Sequence, residues 1–116
     1  MNEDSLRRYF KALNAFDLKS VEAMFALDAV YISPGLAKPQ QGRTEIMRSF
    51  SSYFAEYADQ VSVDDNIKPE SPNTFSSSWR LTATSSKTGK RIQRAGTQRT
   101  IFDERGLIKR VEVFDL

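Results

Sequence analysis

The chain has 116 residues, of which 40% are hydrophobic and 28% charged, and a formal net charge of +2. This length and balance are typical of one globular domain, here residues 1–116, and no apolar run is long enough to span a membrane. The sequence has no cysteine and no histidine, which excludes disulfides, thiol nucleophiles, Cys/His zinc sites and any mechanism with an imidazole base. The polar start of the chain does not resemble a signal peptide, so we expect a cytoplasmic protein.

Positive charge is concentrated between residues 80 and 110. Nine lysines and arginines in this stretch are opposed only by Asp103 and Glu104. Such a surface could attract nucleic acid, but aromatic residues do not alternate with these charges, which disfavours that partner. The favoured interpretation is a solvated hairpin face, partly used for pairing at a dimer edge.

The first half of the chain predicts three helices. Apolar residues near i, i+4 and i+7 spacing run from Leu6 to Phe16 and predict an amphipathic first helix. Asp17 is a candidate N-cap for a second helix over Leu18–Phe25, because its carboxylate can accept from free backbone amides. A broad aromatic stripe, which includes Phe50 and Phe54, predicts a third helix from about Thr44 to Tyr57.

The remaining segments predict strands. A short β-prone run at Ala29–Ser33 is stopped by proline and glycine, and the stretch from Pro34 to Gln41 is expected to be a loop. Four further strands are predicted at Val61–Lys68, Thr74–Ser85, Arg91–Phe102 and Leu107–Asp115. Three helices followed by a four-strand meander predict the α+β class: a curved antiparallel sheet forming a cone-like half-barrel, closed by the three N-terminal helices.

Several segments resemble the nuclear transport factor 2-like superfamily. They are Tyr9–Leu18, Met24–Tyr31 and the helix start Gly42–Ile46, together with Gly106 before an apolar last strand. The chain is most similar to the ketosteroid isomerases and the SnoaL-like polyketide cyclases of that superfamily. The resemblance covers nearly the whole chain and implies the fold, but this fold carries isomerases, dehydratases, cyclases, epoxide hydrolases and non-catalytic binders.

The resemblance also allows the isomerase site to be compared residue by residue. That site uses a tyrosine and a protonated aspartate to hold an enolate, and an aspartate as base. Tyr9 matches the tyrosine, whereas the base position is Ser33 and the protonated aspartate position is Gln98. Gln98 can still donate a hydrogen bond to an oxyanion, but serine cannot act as the base near neutral pH. We therefore do not expect steroid isomerisation by that mechanism.

Three residues are the catalytic candidates. If Gln98 faces inward, as the resemblance implies, strand alternation places Arg94 on the same face of its strand, and it groups Asp115 with Val111 and Val113 on the last strand. Tyr9 and Gln98 would polarise a substrate oxygen, and Asp115, in an apolar pocket, would have a raised pKa and transfer a proton. The alternative for Asp115 is a solvated position near the end of the chain, and for Tyr9 a hydroxyl bonded to a backbone carbonyl.

A second set is expected to bind the ligand, although simple core packing is the alternative for most of its members. These residues are Tyr31, Ser33, Phe50, Phe54, Trp79 and Arg94. A buried Arg94 would require an anion, either Asp115 or a carboxylate of the ligand. Asp64 and Asp65 are adjacent in a strand and so point to opposite faces, and we interpret both as surface residues. Nothing in the sequence indicates a metal site or a cofactor.

Three functions remain open from the sequence. The first is a cofactor-free isomerase, cyclase, dehydratase or hydrolase acting on a small apolar carbonyl, polyketide-like or terpenoid compound. The second is a protein that binds such a molecule without reaction, and the third is a dimerising interaction domain. A homodimer is plausible in all three, because the outer sheet face with Ala95, Thr97, Ile101 and Phe114 is only partly polar. The enzyme requires an ionisable group inside the cavity, whereas the binder requires only aromatic side chains and a few donors.

Overall fold

The computed structural model describes residues 2–116. In chain order the elements are α1 Asn2–Asn14, α2 Leu18–Met24, β1 Phe25–Ile32, β2 Gln40–Gln41, α3 Arg43–Glu56, β3 Val61–Ser71, β4 Thr74–Thr84, β5 Arg91–Phe102 and β6 Ile108–Asp115. The strands form one sheet in the order β2-β1-β6-β5-β4-β3, antiparallel except where β1 runs parallel to β6. The predicted α+β class, with three helices on a mostly antiparallel sheet, is confirmed.

The predicted start of α2 is confirmed by its cap. The Asp17 carboxylate accepts a hydrogen bond from the backbone amide of Ser20 at 3.2 Å and another from the Ser20 hydroxyl at 2.6 Å. The helix ends at Met24 and passes directly into β1, which therefore begins at Phe25 and not at Ala29 as predicted. Burial explains the early start, since the side chains of Phe25, Ala26 and Ala29 are all in the core.

Two other predicted boundaries are corrected. Pro69 does not end β3, which continues to Ser71, because β3 is an edge strand where a missing amide donor is tolerated. The predicted loop from Pro34 to Gln41 contains the two-residue strand β2, which pairs with β1. The predicted range of β5 is confirmed at both ends.

The core lies between the helices and the concave face of the sheet. Its largest fully buried side chains are Tyr9, Phe25, Phe102, Leu6, Ile46, Ile108, Val21 and Val111. Each such side chain contributes about 1.5–3 kcal/mol by leaving water. Among the described helices, none is long and apolar enough to cross a membrane.

The strand β5 connects this core to the site. Gly96, Gln98, Thr100 and Phe102 are buried, whereas Thr97 and Arg99 between them are exposed. The alternation confirms the predicted inward face of this strand. Phe102 is packed in the core, while Gln98 and Arg94, further along the same face, line an open cavity. The concave face is thus filled at one end and accessible at the other.

Candidate functional site

The accessible part of the concave face encloses a cavity of about 460 Å³. Aromatic side chains from α1, β1, α3 and β4 line it: Tyr9, Tyr31, Phe50, Tyr53, Phe54, Tyr57 and Trp79. The α1 contribution is fixed by Asn14, whose side-chain amide donates to the Ser62 carbonyl at 2.9 Å and accepts from the Ser62 amide at 3.1 Å. This pair of bonds anchors the helix that carries Tyr9 to the edge strand β3.

Eight of the nine predicted site residues lie in the wall of this cavity. They are Tyr9, Gln98, Tyr31, Ser33, Phe50, Phe54, Trp79 and Arg94. Their roles remain predictions, but their side chains are brought together as the alternation of the strands indicated. The ninth residue, Asp115, is not part of the wall.

The carboxylate in the cavity wall is that of Asp64, which was not predicted to be there, and not that of Asp115. Asp64 on β3 lines the cavity, so its interpretation as a surface residue is wrong, whereas Asp65 is exposed and lies 3.7 Å from Arg80 in an ion pair. The strand register explains the inward position, because Asp64 lies directly opposite Trp79 on β4. Adjacent residues of a strand face opposite sides, as predicted, but only one of the two faces is solvent.

The hydrophobic pattern of β3 explains why the sequence did not predict the inward position of Asp64. Val61 and Val63 on the outer face are 60% and 40% exposed, while Ser62 and Asp64 face the cavity. This is the reverse of the usual arrangement, in which the apolar residues of a strand point inward. The pairing of β3 with the inward-facing Trp79 was the signal that could have identified Asp64.

The environment of Asp64 is nearly free of compensating charge. The side-chain amide of Gln98 donates to its Oδ1 at 3.1 Å. Burial raises the pKa of Asp64 to about 6, with a further increase from the charge of Asp65 and an opposing decrease from the Gln98 hydrogen bond. Asp64 therefore changes its protonation state near neutral pH.

Two tyrosines accompany this carboxyl group. Burial raises the pKa of Tyr9 and of Tyr31 above the usual value, and the charge of Asp64 contributes to both increases. Within residues 2–116 neither phenol has a hydrogen-bond partner, so the expected alternative of a backbone-bonded Tyr9 hydroxyl is not found. Both hydroxyls stay protonated and can donate to a ligand.

Arg94 lines the cavity at a partly exposed end that we call its mouth, and it pairs there with Asp115, which lies outside the wall. Arg94 Nη2 lies 2.8 Å from each carboxylate oxygen of Asp115, and the guanidinium lies 5.7 Å from the centre of the Trp79 ring. The two side chains are 32% and 37% exposed. Asp115 is thus the partner of Arg94, one of the two anions that the sequence left open.

The expected convergence of Tyr9, Gln98 and Asp115 is not observed. In the β5–β6 register Gln98 lies opposite Val113, and Asp115 lies opposite Gly96, one inward position closer to the mouth. The side chain of Gln98 instead donates a hydrogen bond to Asp64, which lies on the edge strand β3. Asp64 and Asp115 belong to one row across the sheet, in which Trp79 and Gly96 lie between them. They are thus three strands apart, on β3 and β6, and the cavity has an Asp64 end and an Arg94 end, where Arg94 pairs with Asp115.

The chemical capacity of the site follows from these groups. Within the described residues 2–116, no three acidic side chains come close enough to hold a metal ion. A carboxyl group with a pKa near 6 can accept a proton at neutral pH, and neutral phenols can stabilise negative charge on an oxygen. Together they are suited to proton transfer next to a carbonyl group.

Solved structures of similar fold place this cavity in context. Bal32a from a soil-derived mobile gene cassette is 23% identical, with a TM-score of 0.88 over 98% of this chain and 88% of that one. SalBIII, an epoxide hydrolase/cyclase-like enzyme in pyran ring formation of salinomycin, is 15% identical, with a TM-score of 0.87 over 99% and 90%. RV0760c from Mycobacterium tuberculosis, in complex with estradiol-17beta-hemisuccinate, is 17% identical, with a TM-score of 0.81 over 91% and 86%.

These structures show the fold alone, because all are below 25% identity. No curated protein sequence matches the chain significantly. The family model of the SnoaL-like domain matches residues 6–111. That match spans nearly all of the helices and strands that enclose the cavity, and the chain belongs to the SnoaL-like family.

Proposed function

We propose that this protein is a cofactor-free enzyme that transfers a proton on a mostly apolar carbonyl compound, as an isomerase, cyclase or dehydratase of polyketide-like or terpenoid substrates would. The observation that carries the proposal is Asp64, an ionisable carboxyl group inside an aromatic cavity, whose one hydrogen-bond partner among residues 2–116 is a neutral amide. Its pKa of about 6 leaves it mostly ionised, yet still basic, at neutral pH.

The proton transfer uses three groups. The Asp64 carboxylate removes a proton from the carbon next to the carbonyl group, and the electron pair of that C–H bond moves toward the carbonyl oxygen. The Tyr9 hydroxyl donates to this oxygen as it becomes an enolate. With a β,γ-unsaturated carbonyl compound, Asp64 then returns the proton to the γ carbon while the C=C bond shifts into conjugation, which completes an isomerisation. With a dicarbonyl compound, the enolate carbon attacks the second carbonyl carbon, whose C=O π electrons move to its oxygen and take the proton from Asp64, which closes a ring. Gln98 orients the carboxylate throughout.

A purely binding role is the main alternative, and the cost of Asp64 argues against it. A pKa raised from 3.8 to about 6 means that the ionised carboxyl group destabilises the fold by roughly 1–3 kcal/mol at neutral pH. An apolar ligand gains nothing from such a group, whereas a reaction does. A function limited to dimerisation would leave the open cavity of about 460 Å³ unexplained, although a homodimer through the outer sheet face is compatible with the enzyme.

The similar structures are consistent with both parts of the proposal, the catalysed reaction and the apolar ligand. SalBIII is described as a cyclase-like enzyme, and RV0760c holds a steroid ester. We transfer neither reaction nor ligand to this chain, but an apolar carbonyl compound fits the same kind of aromatic cavity.

The test is deuterium incorporation from D₂O into apolar ketones, with 2-tetralone and 2-decalone as probes. Wild-type protein should accelerate exchange next to the carbonyl, with a rate that rises with pH and levels off above about 6. Asp64→Asn should reduce the exchange rate at least about a hundredfold, the usual contribution of a general base. Asp65→Asn is the matched control, since Asp65 is adjacent but faces solvent, and it should retain the activity. Exchange that survives in Asp64→Asn would refute the role of Asp64.

A further inference from the structure

We infer that the mouth of the cavity is an anion-binding subsite, at which a carboxylate of the natural ligand replaces Asp115 as the partner of Arg94. The inference rests on the proposed function, because it assumes that the ligand occupies the cavity. It adds the substrate class: an elongated, apolar keto acid whose acidic group lies far from its reacting carbonyl.

Arg94 has further N–H donors besides those that pair with Asp115. Only its Nη2 atom donates to Asp115, and within residues 2–116 the structure gives no protein acceptor for Nε or Nη1. The guanidinium lines the cavity, and Nη1 lies next to the loop at Gly35, where an added Cβ would be 3.7 Å away. A planar guanidinium offers donors in a fork that matches a carboxylate, so a second anion can bind or exchange with the first.

The ion pair between Asp115 and Arg94 is weak enough for a ligand carboxylate to replace Asp115. Its side chain is 37% exposed and belongs to the last pair of the β5–β6 register. Ion pairs that are open to water contribute at most about 1 kcal/mol. A ligand carboxylate that is delivered by an apolar body in the cavity meets a guanidinium that is already held over the Trp79 ring, and it can pair with this cation inside the cavity, whereas Asp115 pairs with it in contact with water.

The spacing of the two ends sets the length of the ligand. Asp64 lies two strands away from Arg94 and in the row of Gly96, two residues further along β5, which corresponds to roughly 12 Å between the two backbone positions. Trp79, which lies opposite both Asp64 and Gly96 and against the Arg94 guanidinium, lies between the two ends, and Tyr31 also lines the cavity. The ligand body that spans this distance is therefore apolar or aromatic.

The charges also fix the orientation of the ligand. A carboxylate is attracted to Arg94 and repelled by ionised Asp64, whereas a neutral ketone can lie beside Tyr9 and Asp64 at no electrostatic cost. The acidic group therefore lies at the mouth, and the carbonyl lies at the inner end where the proton transfer takes place.

Two fluorescent probes that differ in one charge test this subsite. They are 8-anilino-1-naphthalenesulfonate and N-phenyl-1-naphthylamine, which share the same aromatic body with and without an anionic group. Arg94→Met should raise the Kd of the anionic probe about tenfold, as expected for loss of a charge-assisted hydrogen bond, and leave the Kd of the neutral probe within about twofold. Asp115→Asn should have the opposite effect and tighten the anionic probe, because it removes the competing carboxylate.

Arg80→Met is the control for nonspecific attraction, since Arg80 is an exposed arginine on the outer face. It should change neither Kd.

The inference is overturned if Arg94→Met affects both probes equally or neither, if Asp115→Asn weakens the binding of the anionic probe, or if Arg80→Met reproduces the loss of affinity. If the neutral probe binds wild-type protein and only the charge dependence is absent, the subsite fails while the proposed function stands. If neither probe binds, the cavity does not accept apolar ligands and both proposals fail.

Discussion

Asp64 and Asp115 lie on the same concave sheet face, and their surroundings are opposite. Asp64 is half-buried, has the neutral amide of Gln98 as its partner, and has a pKa raised to about 6. Asp115 is more exposed and has the full positive charge of Arg94 at 2.8 Å. The difference shows that burial without a counter-charge, as for Asp64, suits a carboxylate on this face to proton transfer, whereas a carboxylate near solvent that is paired with an arginine, as for Asp115, holds a cation in place.

The largest expected effect comes from a substitution that disturbs both the Asp64 end and the Arg94 end of the cavity. Gly96 lies between Arg94 and Gln98, and a Cβ there would overlap the Phe114 carbonyl and approach Trp79 Cζ2 to 2.8 Å. Because the obstacle is backbone, Gly96→Ala should lower the free energy of unfolding by roughly 3 kcal/mol and weaken the pairing of β5 with β6. Urea denaturation measures this.

Gly89→Ala is the control for that experiment. Gly89 has a φ of 73°, but no atom of residues 2–116 lies within 4 Å of an added Cβ, so backbone strain is what opposes the change. We expect a loss of about 1–2 kcal/mol. An equal or larger loss at Gly89 would contradict the steric explanation of Gly96.

The second prediction separates the two aspartates by their effect on stability. The pKa of Asp64 is higher in the folded protein than its usual value of 3.8, so the folded state binds this proton more tightly than the unfolded state. The resulting stabilisation is complete below about pH 4 and is lost as the pH rises through about 6. Asp64→Asn should therefore be more stable than wild type by roughly 1–3 kcal/mol at pH 8 and equally stable near pH 4. Denaturant titrations at both pH values measure the difference.

Asp115→Asn should change stability in the opposite direction. It removes one partner of a half-exposed ion pair, so the loss at pH 8 should be at most about 1 kcal/mol. Stabilisation of Asp115→Asn at pH 8, as large as that of Asp64→Asn, would remove the distinction between the two ends.

The third prediction concerns Gln98. Its hydrogen bond lowers the pKa of Asp64 against the stronger effect of burial. Gln98→Leu should therefore move the acidic limb of the deuterium-exchange profile to higher pH, by roughly half to one pH unit, which is the shift expected for one hydrogen bond. A shift to lower pH would show that Gln98 does not stabilise the charged form of Asp64.

The smallest expected effect comes from Asp65 on the outer face. Its negative charge contributes to the raised pKa of Asp64. Asp65→Asn should move the same acidic limb to lower pH by a few tenths of a unit at low ionic strength, and salt should reduce the shift. The opposite directions expected for Gln98→Leu and Asp65→Asn make the pair a sharp test of the electrostatics at the Asp64 end.

The sequence predicted the local structure well where one physical rule dominated. The turns at Gly89 and Gly106 gave the range of β5, alternation from Gln98 gave its inward face, and the side chain of Asp17 gave the start of α2. The sequence could not give the Asp64 end, because that depends on which side of β3 faces the helices. Val61 and Val63 favoured the wrong side, and only the pairing of β3 with β4 resolves it. Asp115 was placed on the right face, but its separation from Gln98 depends on the β5–β6 register.

The alternation of β5 has a consequence for redesign. Arg94, Gly96 and Gln98 face the cavity, whereas Ala95 and Thr97 between them face the other side of the sheet. Residues 94 and 98 are roughly 13 Å apart, a distance at which the energetic effects of two substitutions usually add. Under the two proposals, substitutions at residues 94 and 98 should therefore change anion binding and the pKa of Asp64 independently of each other, as long as the glycine between them is retained.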